Sequence, residues 1–258
     1  MTRALALLAL ALVPASAGAG AAAPPKPLAL TAAPAKLALV GSGAAAIRIR
    51  NPGTKRIAVD VSPAGFALDL RGRPRIVRPG SARSAARWLT LRPAHFVLAP
   101  HAAAQIRVTA RVPRAASPGD HDALVVLSAH PLTRARVEVR LRLGVVVLVR
   151  APGAVVRRLK LGPLRVARRG STRALELVAV NAGNVTERLR RMRIVVSRLK
   201  TRRLIESVAA GARELRPHTR GLVVFHLRTR AQGLAMVSVV IPAEPGRAAM
   251  RRAYRVRI

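Results

Sequence analysis

Residues 137–143 read Val-Glu-Val-Arg-Leu-Arg-Leu, with an apolar residue at every second position and a charged residue between each pair. Successive side chains of an extended strand point to opposite faces of a sheet, so this run places its apolar residues on one face and its charged residues on the other. The same alternation appears in residues 47–50, 106–112 and 254–258. These segments predict strands with one buried and one solvated face.

Turn-forming sequences separate the alternating runs. They combine Gly, Pro and Asn, which favour tight turns, and they lie at residues 51–53, 78–80, 117–120, 151–153 and 181–184. Many short strands between regularly spaced turns are typical of antiparallel sandwiches, so the sequence predicts an all-β fold. Only two short segments, 81–88 and 185–192, have sequences compatible with a helix.

A weak internal repeat divides the chain. The strand pattern and turn of residues 47–53 are echoed in residues 175–183, and in each copy an Asn ends the run and a Gly follows two positions later. We therefore expect two tandem Ig-like antiparallel β-sandwiches, at residues 34–151 and 152–258, after an extended lead-in at 24–33. The alternative interpretation is chance similarity among strands rich in Arg and Val.

The first 23 residues have the three-part layout of a secretory signal peptide. A basic start precedes the apolar run 4–13, and small residues follow that suit cleavage after Ala17, after Ala19 or near Ala23. The alternative is an N-terminal membrane anchor, but the apolar run is shorter than the ~20 residues that span a bilayer. The sequence thus predicts a secreted or cell-envelope protein without a transmembrane helix in its mature chain.

The charge balance favours anionic partners. The chain has 47 basic and 10 acidic residues, a net charge of +37, although GC-rich coding also favours arginine. Such a field attracts polyanions and is screened by salt. Candidate polyanion-binding residues are arginines on the outer faces of predicted strands and near the predicted domain boundary: Arg48, Arg50, Arg107, Arg111, Arg136, Arg140, Arg142, Arg157 and Arg158.

Catalysis, metal binding and nucleic-acid binding find little support in the sequence. With no cysteine, the chain has no disulfide, thiolate metal site or Cys nucleophile. Hydrolase, phosphate-loop and zinc-protease motifs do not occur. Alternation puts Asp120 and Asp122 on one side of a strand and His121 on the other, which is poor geometry for one ion. Aromatic residues make up only 2%, too few for a base-stacking platform. We therefore assign no catalytic residue, metal or cofactor, and expect Trp88 to fill the core rather than to stack on a sugar.

Core and turn residues resemble those of a known family. They are the segment 34–37, the Asn-Pro-Gly turn at 51–53, the segment 88–100 with its Trp, Phe and Pro residues, and the segment 112–121. This pattern resembles the peptidoglycan-binding domain of the WxL-interacting proteins of Gram-positive surfaces, an Ig-like sandwich related in fold to pilus-chaperone domains. The second half resembles the Ig-like domain that follows it in that family. The resemblance implies a binding protein with no catalytic residues.

The leading functional hypothesis is a non-enzymatic envelope protein that binds anionic cell-wall polymer, peptidoglycan or a surface protein through basic sheet faces. A first rival is a chaperone-like module that pairs a sheet edge with a client strand. A second rival is a surface subunit that assembles with copies of itself. The sequence leaves the ligand and the oligomeric state open.

Overall fold

A computed structural model describes residues 28–77, 83–132, 139–170, 172–189 and 191–258. The predicted signal peptide at 1–23 and the candidate Arg136 lie outside the described residues. Within these ranges, no helix has the length and apolar character that crossing a membrane requires.

The first half of the chain is built from short strands and a single-turn 3-10 helix at Ala86–Trp88. The strands are β1 (Thr31–Ala33), β2 (Lys36–Val40), β3 (Gly43–Arg50), β4 (Ile57–Leu68), β5 (Pro74–Val77), β6 (Leu89–Arg92), β7 (His95–Leu98), β8 (Ala103–Ala110), β9 (Gly119–Pro131) and β10 (Leu141–Ala151).

The second half is also made of strands, and the segment 185–192 contains a short strand instead of a helix. The strands are β11 (Leu159–Arg169), β12 (Thr172–Asn181), β13 (Glu187–Arg188), β14 (Arg193–Arg198), β15 (Leu204–Ala209), β16 (Glu214–Leu215), β17 (Arg220–Leu227), β18 (Leu234–Ile241) and β19 (Met250–Arg257).

The strands form separate sheets in the two halves. In the first half, one sheet has the order β1-β3-β8-β6 and the other the order β2-β10-β9-β4-β5, with β7 also pairing with β4. In the second half the orders are β11-β12-β17 and β15-β14-β18-β19, and β13 pairs with β16. Pairing is antiparallel throughout these named strands except between β2 and β10, which run parallel. The all-β sandwich prediction is confirmed.

Alternation along the strands builds two hydrophobic clusters, one in each half. In β8, Ile106 and Val108 are fully buried, whereas Arg107 between them is exposed. Each aliphatic side chain buried in this way stabilises the fold by about 1.5–3 kcal/mol. Trp88 packs, partly buried, against the first cluster, which agrees with its expected place in the core. In the second cluster Phe225 is the largest fully buried side chain.

The repeated asparagines, Asn51 and Asn181, form equivalent hydrogen bonds in the two sandwiches. Asn51 accepts the N–H of Gly53 at 3.0 Å, and its amide donates to the carbonyls of Lys55 and Ala99 at 2.8 and 3.0 Å. Asn181 accepts the N–H of Gly183 at 2.9 Å and donates to carbonyls four and 34 residues further on. Each buried side chain therefore closes its own turn and ties that turn to a distant segment.

Replacing Asn181 with alanine is expected to destabilise the chain by about 2–4 kcal/mol, because three buried backbone groups lose their partner. Urea unfolding measures this loss. The control is Arg257→Gln at an exposed strand position, which should change stability by less than about 0.5 kcal/mol. Equal stabilities for Asn181→Ala and Arg257→Gln would contradict this role for the asparagine.

Candidate functional site

The outer edge of β10 is paired along only half of its length. Strand β2 covers residues 146–150 of β10, and its register starts with Lys36 opposite Val146. Among the described residues, no strand pairs with the outer edge of residues 141–145. The inner edge of the same stretch is fully paired with β9. An antiparallel or parallel strand from another molecule can therefore add to this half of β10 without displacing an existing one.

The backbone groups that face this open edge follow from the strand period. Val146 donates its N–H to Ala35 of the β2 side, and Arg150 accepts from Gly41 on the same side. Since the direction of backbone groups repeats every two residues in a strand, Arg142 and Gly144 direct their N–H and C=O groups to that side as well. These two residues thus present donors and acceptors that no described strand pairs with and that a further strand would satisfy.

Apolar side chains accompany the open edge. Leu141 and Leu143 pack against the first hydrophobic cluster but are only partly buried, in contrast to the fully buried Val145 and Val147 further along β10. Val139 just before the strand and Leu132 just after β9 are about half exposed, at 51% and 50%. The open half of β10 therefore combines unpaired backbone groups with apolar side chains that lack full cover.

At its far end, β10 leads into a cleft of about 390 Å³ between the two sandwiches. Basic residues outnumber acidic ones among the lining residues, which are Lys36, Asp120, Leu148, Arg150, Arg157, Thr186, Arg188, Arg191, Glu244 and Pro245. Lys36 is paired with Glu214 at 2.6 Å, and Arg150 with Asp120 at 2.7 Å. The cleft is a polar site whose excess positive charge suits an anionic group.

Polar contacts from the start of β9 hold the two sandwiches together. The buried Asp120 accepts hydrogen bonds from Arg150 and from the backbone N–H of Thr186 in the second half, the latter at 2.7 Å. Although burial acts to raise the pKa of Asp120, these bonds together hold that pKa below its usual value. Gly119 has φ +106°, and a Cβ there would lie 2.1 Å from the carbonyl oxygen of Asn184, so this close approach requires glycine.

A second carboxylate, Asp122, also reaches across the junction. It pairs with Arg216 at 2.7 Å, and the guanidinium of Arg216 also lies 5.2 Å from the ring centroid of Phe66. Burial raises the pKa of Asp122 to about 6, against the opposing effect of the Arg216 charge. The carboxyl group of Asp122, which makes this contact between the sandwiches, therefore becomes protonated in mildly acidic conditions.

The pH dependence of stability tests this assignment. The pKa of Asp122 is 3.8 in the unfolded chain and about 6 in the folded one, so the folded chain binds the proton more tightly. Protonation of Asp122 therefore favours folding as the pH falls. Between pH 7 and pH 3.5, the free energy of unfolding of wild type should rise by about 3 kcal/mol relative to that of Asp122→Asn. Urea unfolding of both proteins across this range measures the difference. A difference that stays constant with pH would contradict the raised pKa.

That comparison also separates Asp122 from its neighbour His121. Burial lowers the pKa of His121, so its effect on stability has the opposite sign and is present in both proteins. The His121 ring lies 4.4 Å from the Trp88 ring, and its Nε2 is 2.8 Å from the carbonyl oxygen of Ser117. As alternation along the strand predicts, His121 points away from the two aspartates, and the described residues include no group of three side chains suited to a metal ion.

The structure divides the candidate arginines among several places. Arg48, Arg50 and Arg107 share the outer face of one sheet. Arg111 lies in the loop after β8, Arg140 precedes β10 and Arg142 lies on its open half. Near the predicted boundary, Arg158 is exposed, whereas Arg157 pairs with the buried Glu187. The candidates therefore do not form one continuous surface.

Sequence reasoning missed the residues that make the open edge and the cleft. The period-2 pattern identifies Leu141 and Leu143 as strand residues, but it carries no signal for which edge of the strand stays open. Lys36 and Glu214 are 178 residues apart, so nothing in the local sequence joins them.

Comparison with solved structures identifies the fold. A chain from a chaperone–tip adhesin complex of CFA/I fimbriae biogenesis aligns with a TM-score of 0.50 and 11% identity, covering 87% of this chain and 98% of that one. The YadV chaperone aligns with a TM-score of 0.48 and 10% identity, covering 88% and 99%. The Salmonella enterica SafA pilin–SafB chaperone complex gives 0.48 and 12%, covering 90% and 98%.

The sequence itself matches no protein-family model and no curated protein. The resemblance to WxL-interacting proteins is therefore unsupported, whereas its structural part, a relation to pilus-chaperone sandwiches, is confirmed. The chain has the fold of the pilus chaperones.

Proposed function

We propose that this chain is an exported, non-enzymatic chaperone-like protein that binds a client protein by adding a strand to the open half of β10. The observation that carries the proposal is the outer edge of residues 141–145, which none of the described strands pairs with, beside the partly buried Leu141 and Leu143. Main-chain hydrogen bonds to Arg142 and Gly144 would supply affinity, and the apolar side chains would select clients with alternating apolar residues.

The likeness in fold supports this proposal over the wall-binding hypothesis. The structure with a TM-score of 0.50 comes from a complex between a chaperone and a tip adhesin, so one protein of this fold acts on a surface-protein subunit. Binding to anionic cell-wall polymer or peptidoglycan, the leading hypothesis from the sequence, has no comparable support. A surface protein is therefore the partner class that we propose, and the signal-peptide pattern at 1–23 accounts for its export.

A peptide of alternating pattern tests the proposal. We would measure binding of a fluorescent 12-residue peptide in which valine alternates with serine and threonine, with an isomer of the same composition in block order as control. Strand addition predicts that the alternating peptide binds and that the block isomer binds at least about ten-fold more weakly, because only alternation presents one apolar face. Equal binding of the two peptides would contradict strand addition.

Self-assembly is the rival to client binding, and sedimentation with and without the alternating peptide tests it. If the open edge of one copy pairs with the open edge of another, sedimentation should show an increase in mass with concentration, and the alternating peptide should dissociate the assembly. Concentration-dependent association that the peptide does not affect would favour the surface-subunit hypothesis over the chaperone-like one.

A further inference from the structure

The outer face of the β1-β3-β8-β6 sheet differs from the other surfaces already described. Its exposed positions carry small or neutral residues and four arginines, and no aspartate or glutamate occurs in any of the four strands. The arginines are Arg48 and Arg50 on β3, Arg107 on β8 and Arg92 on β6, and all four are exposed. This set, the arginine face, includes three of the arginines that the sequence pointed to and adds Arg92.

Strand register arranges these arginines as two pairs. Arg48 and Arg50 lie two residues apart on one strand, about 7 Å between their Cα atoms. Arg92 and Arg107 are direct cross-strand partners, so their Cβ atoms are about 5 Å apart. Arg107 is in turn opposite Ala46, two residues from Arg48. Strand spacings therefore put the two pair centres roughly 12 Å apart on a diagonal across the sheet.

Each pair of arginines borders its own shallow depression with an alanine floor. Arg48 and Arg50 line a depression of about 570 Å³ with Thr31, Ala32, Ala33, His101 and Ala103. Arg92 and Arg107 line one of about 370 Å³ with Ala44, Ala45, Ala46 and Gln105. Because the alanine side chains between the arginines are short, each depression leaves space beside the guanidinium groups that a ligand can enter.

The pairs lack counter-ions within the described residues. None of the ion pairs in the described ranges includes Arg48, Arg50, Arg92 or Arg107, whereas Lys36, Arg150, Arg157, Arg216 and Arg247 all pair with carboxylates. Like charges that face each other directly across two strands destabilise a sheet. The Arg92–Arg107 pair therefore carries an electrostatic cost that a bound anion would remove.

We infer that the arginine face binds a linear, phosphate-bearing polyanion, with one phosphate held by each arginine pair. Guanidinium groups grip phosphate oxygens in a bidentate manner, so two of them can enclose one phosphate. A chain that reaches both pairs gains from two linked binding events, whereas a single phosphate engages only one. This site is separate from the open edge of β10, which lies on the other sheet of the same sandwich.

A flexible polymer fits this face better than a bilayer surface does. The exposed positions of the four strands offer no large apolar side chain to insert among lipids, only Ala, Thr, Gln and Arg. The depressions between the arginines accept a thin chain. Binding should thus depend on the placement of the four arginines and not only on the net charge of +37.

The test compares two variants of the full chain that lose the same charge. One replaces Arg48, Arg50, Arg92 and Arg107 with glutamine. The control replaces Arg193, Arg251, Arg255 and Arg257, which are also exposed on strands and form none of the described ion pairs. Long-chain inorganic polyphosphate is the probe, and binding is measured by titration at several salt concentrations, with thermal unfolding to verify that both variants fold.

Each arginine that contacts an anionic surface contributes about five-fold to binding. The arginine-face variant should therefore bind polyphosphate at least about 100-fold more weakly than wild type and show a flatter salt dependence, because fewer counter-ions are released. The control should bind within about five-fold of wild type. Orthophosphate should bind wild type far more weakly than the polymer does.

Equal losses for the two variants would overturn the proposal, since binding would then follow net charge alone. Vesicles of phosphatidylglycerol provide a second arm. If the arginine-face variant lost binding to vesicles while its binding to polyphosphate matched wild type, the face would be a membrane contact and the polymer proposal would fail. None of these outcomes depends on the alternating peptide, so the chaperone-like function is tested separately.

Discussion

Replacing Arg142 with proline should weaken binding of the alternating peptide at least about ten-fold while leaving the sandwich folded. The N–H of residue 142 faces the open edge, so proline removes a donor that the folded chain itself does not use. Proline is tolerated on edge strands where its missing N–H would have faced solvent. Losing that hydrogen bond and placing the ring against an incoming strand should weaken the peptide by at least about ten-fold.

Two further variants separate this effect from charge and from folding. Arg142→Gln removes the charge but keeps the N–H, and it should bind the peptide within about three-fold of wild type. Leu143→Pro removes an N–H that faces β9, so it should destabilise the sandwich by about 3 kcal/mol. The same substitution thus has opposite consequences at adjacent positions. Peptide binding by Arg142→Pro at the wild-type level would exclude strand addition at this edge.

Replacing Glu187 with alanine should cause one of the largest losses of stability in the chain, about 3–5 kcal/mol. Glu187 is fully buried and pairs with Arg247 at 2.7 Å and Arg157 at 3.2 Å. The side chain of Arg247 is only 5% exposed, so removing the carboxylate leaves a buried charge without this partner. Breaking a buried ion pair on one side is far more costly than the net contribution of the intact pair.

An exposed contact between a carboxylate and a histidine supplies the matched control. Asp60 and His95 lie 2.7 Å apart, but both side chains are more than half exposed. Asp60→Ala should therefore change the free energy of unfolding by less than about 1 kcal/mol. Urea unfolding of both variants gives the comparison. If Glu187→Ala were no less stable than Asp60→Ala, Glu187 would not be holding the segment around residue 247 against the residues that precede β11.

The fold class could be predicted because each strand carries its own signal. In β3, β8 and β19 the alternation of aliphatic residues with arginine describes a sheet with one wet face, and each of these strands is present. The repeated Asn-x-Gly turns also carry a local signal, because the Asn side chain bonds to the Gly two residues later. Both signals lie within a few residues of the structure that they specify.

The open edge and the junction could not be predicted because they depend on distant partners. Whether β10 is covered is decided by β2, which precedes it by about a hundred residues and pairs with it in parallel. The sequence around Asp120 and Asp122 does not indicate their partners, because the second sandwich supplies Thr186 and Arg216. For Arg92, the alternation Leu-Thr-Leu-Arg at residues 89–92 predicts an exposed strand position. Only the strand register, however, places Arg92 opposite Arg107.

Strand β2 also limits how far an added strand can pair along β10. An added strand can advance along β10 only as far as Val145, because the next position is already occupied by the pairing of Lys36 with Val146. Over residues 141–145 the available length is about 17 Å. Under the proposed function, this fixed stop would align an added client strand, whatever the client's own sequence, beside Lys36, which also lines the cleft.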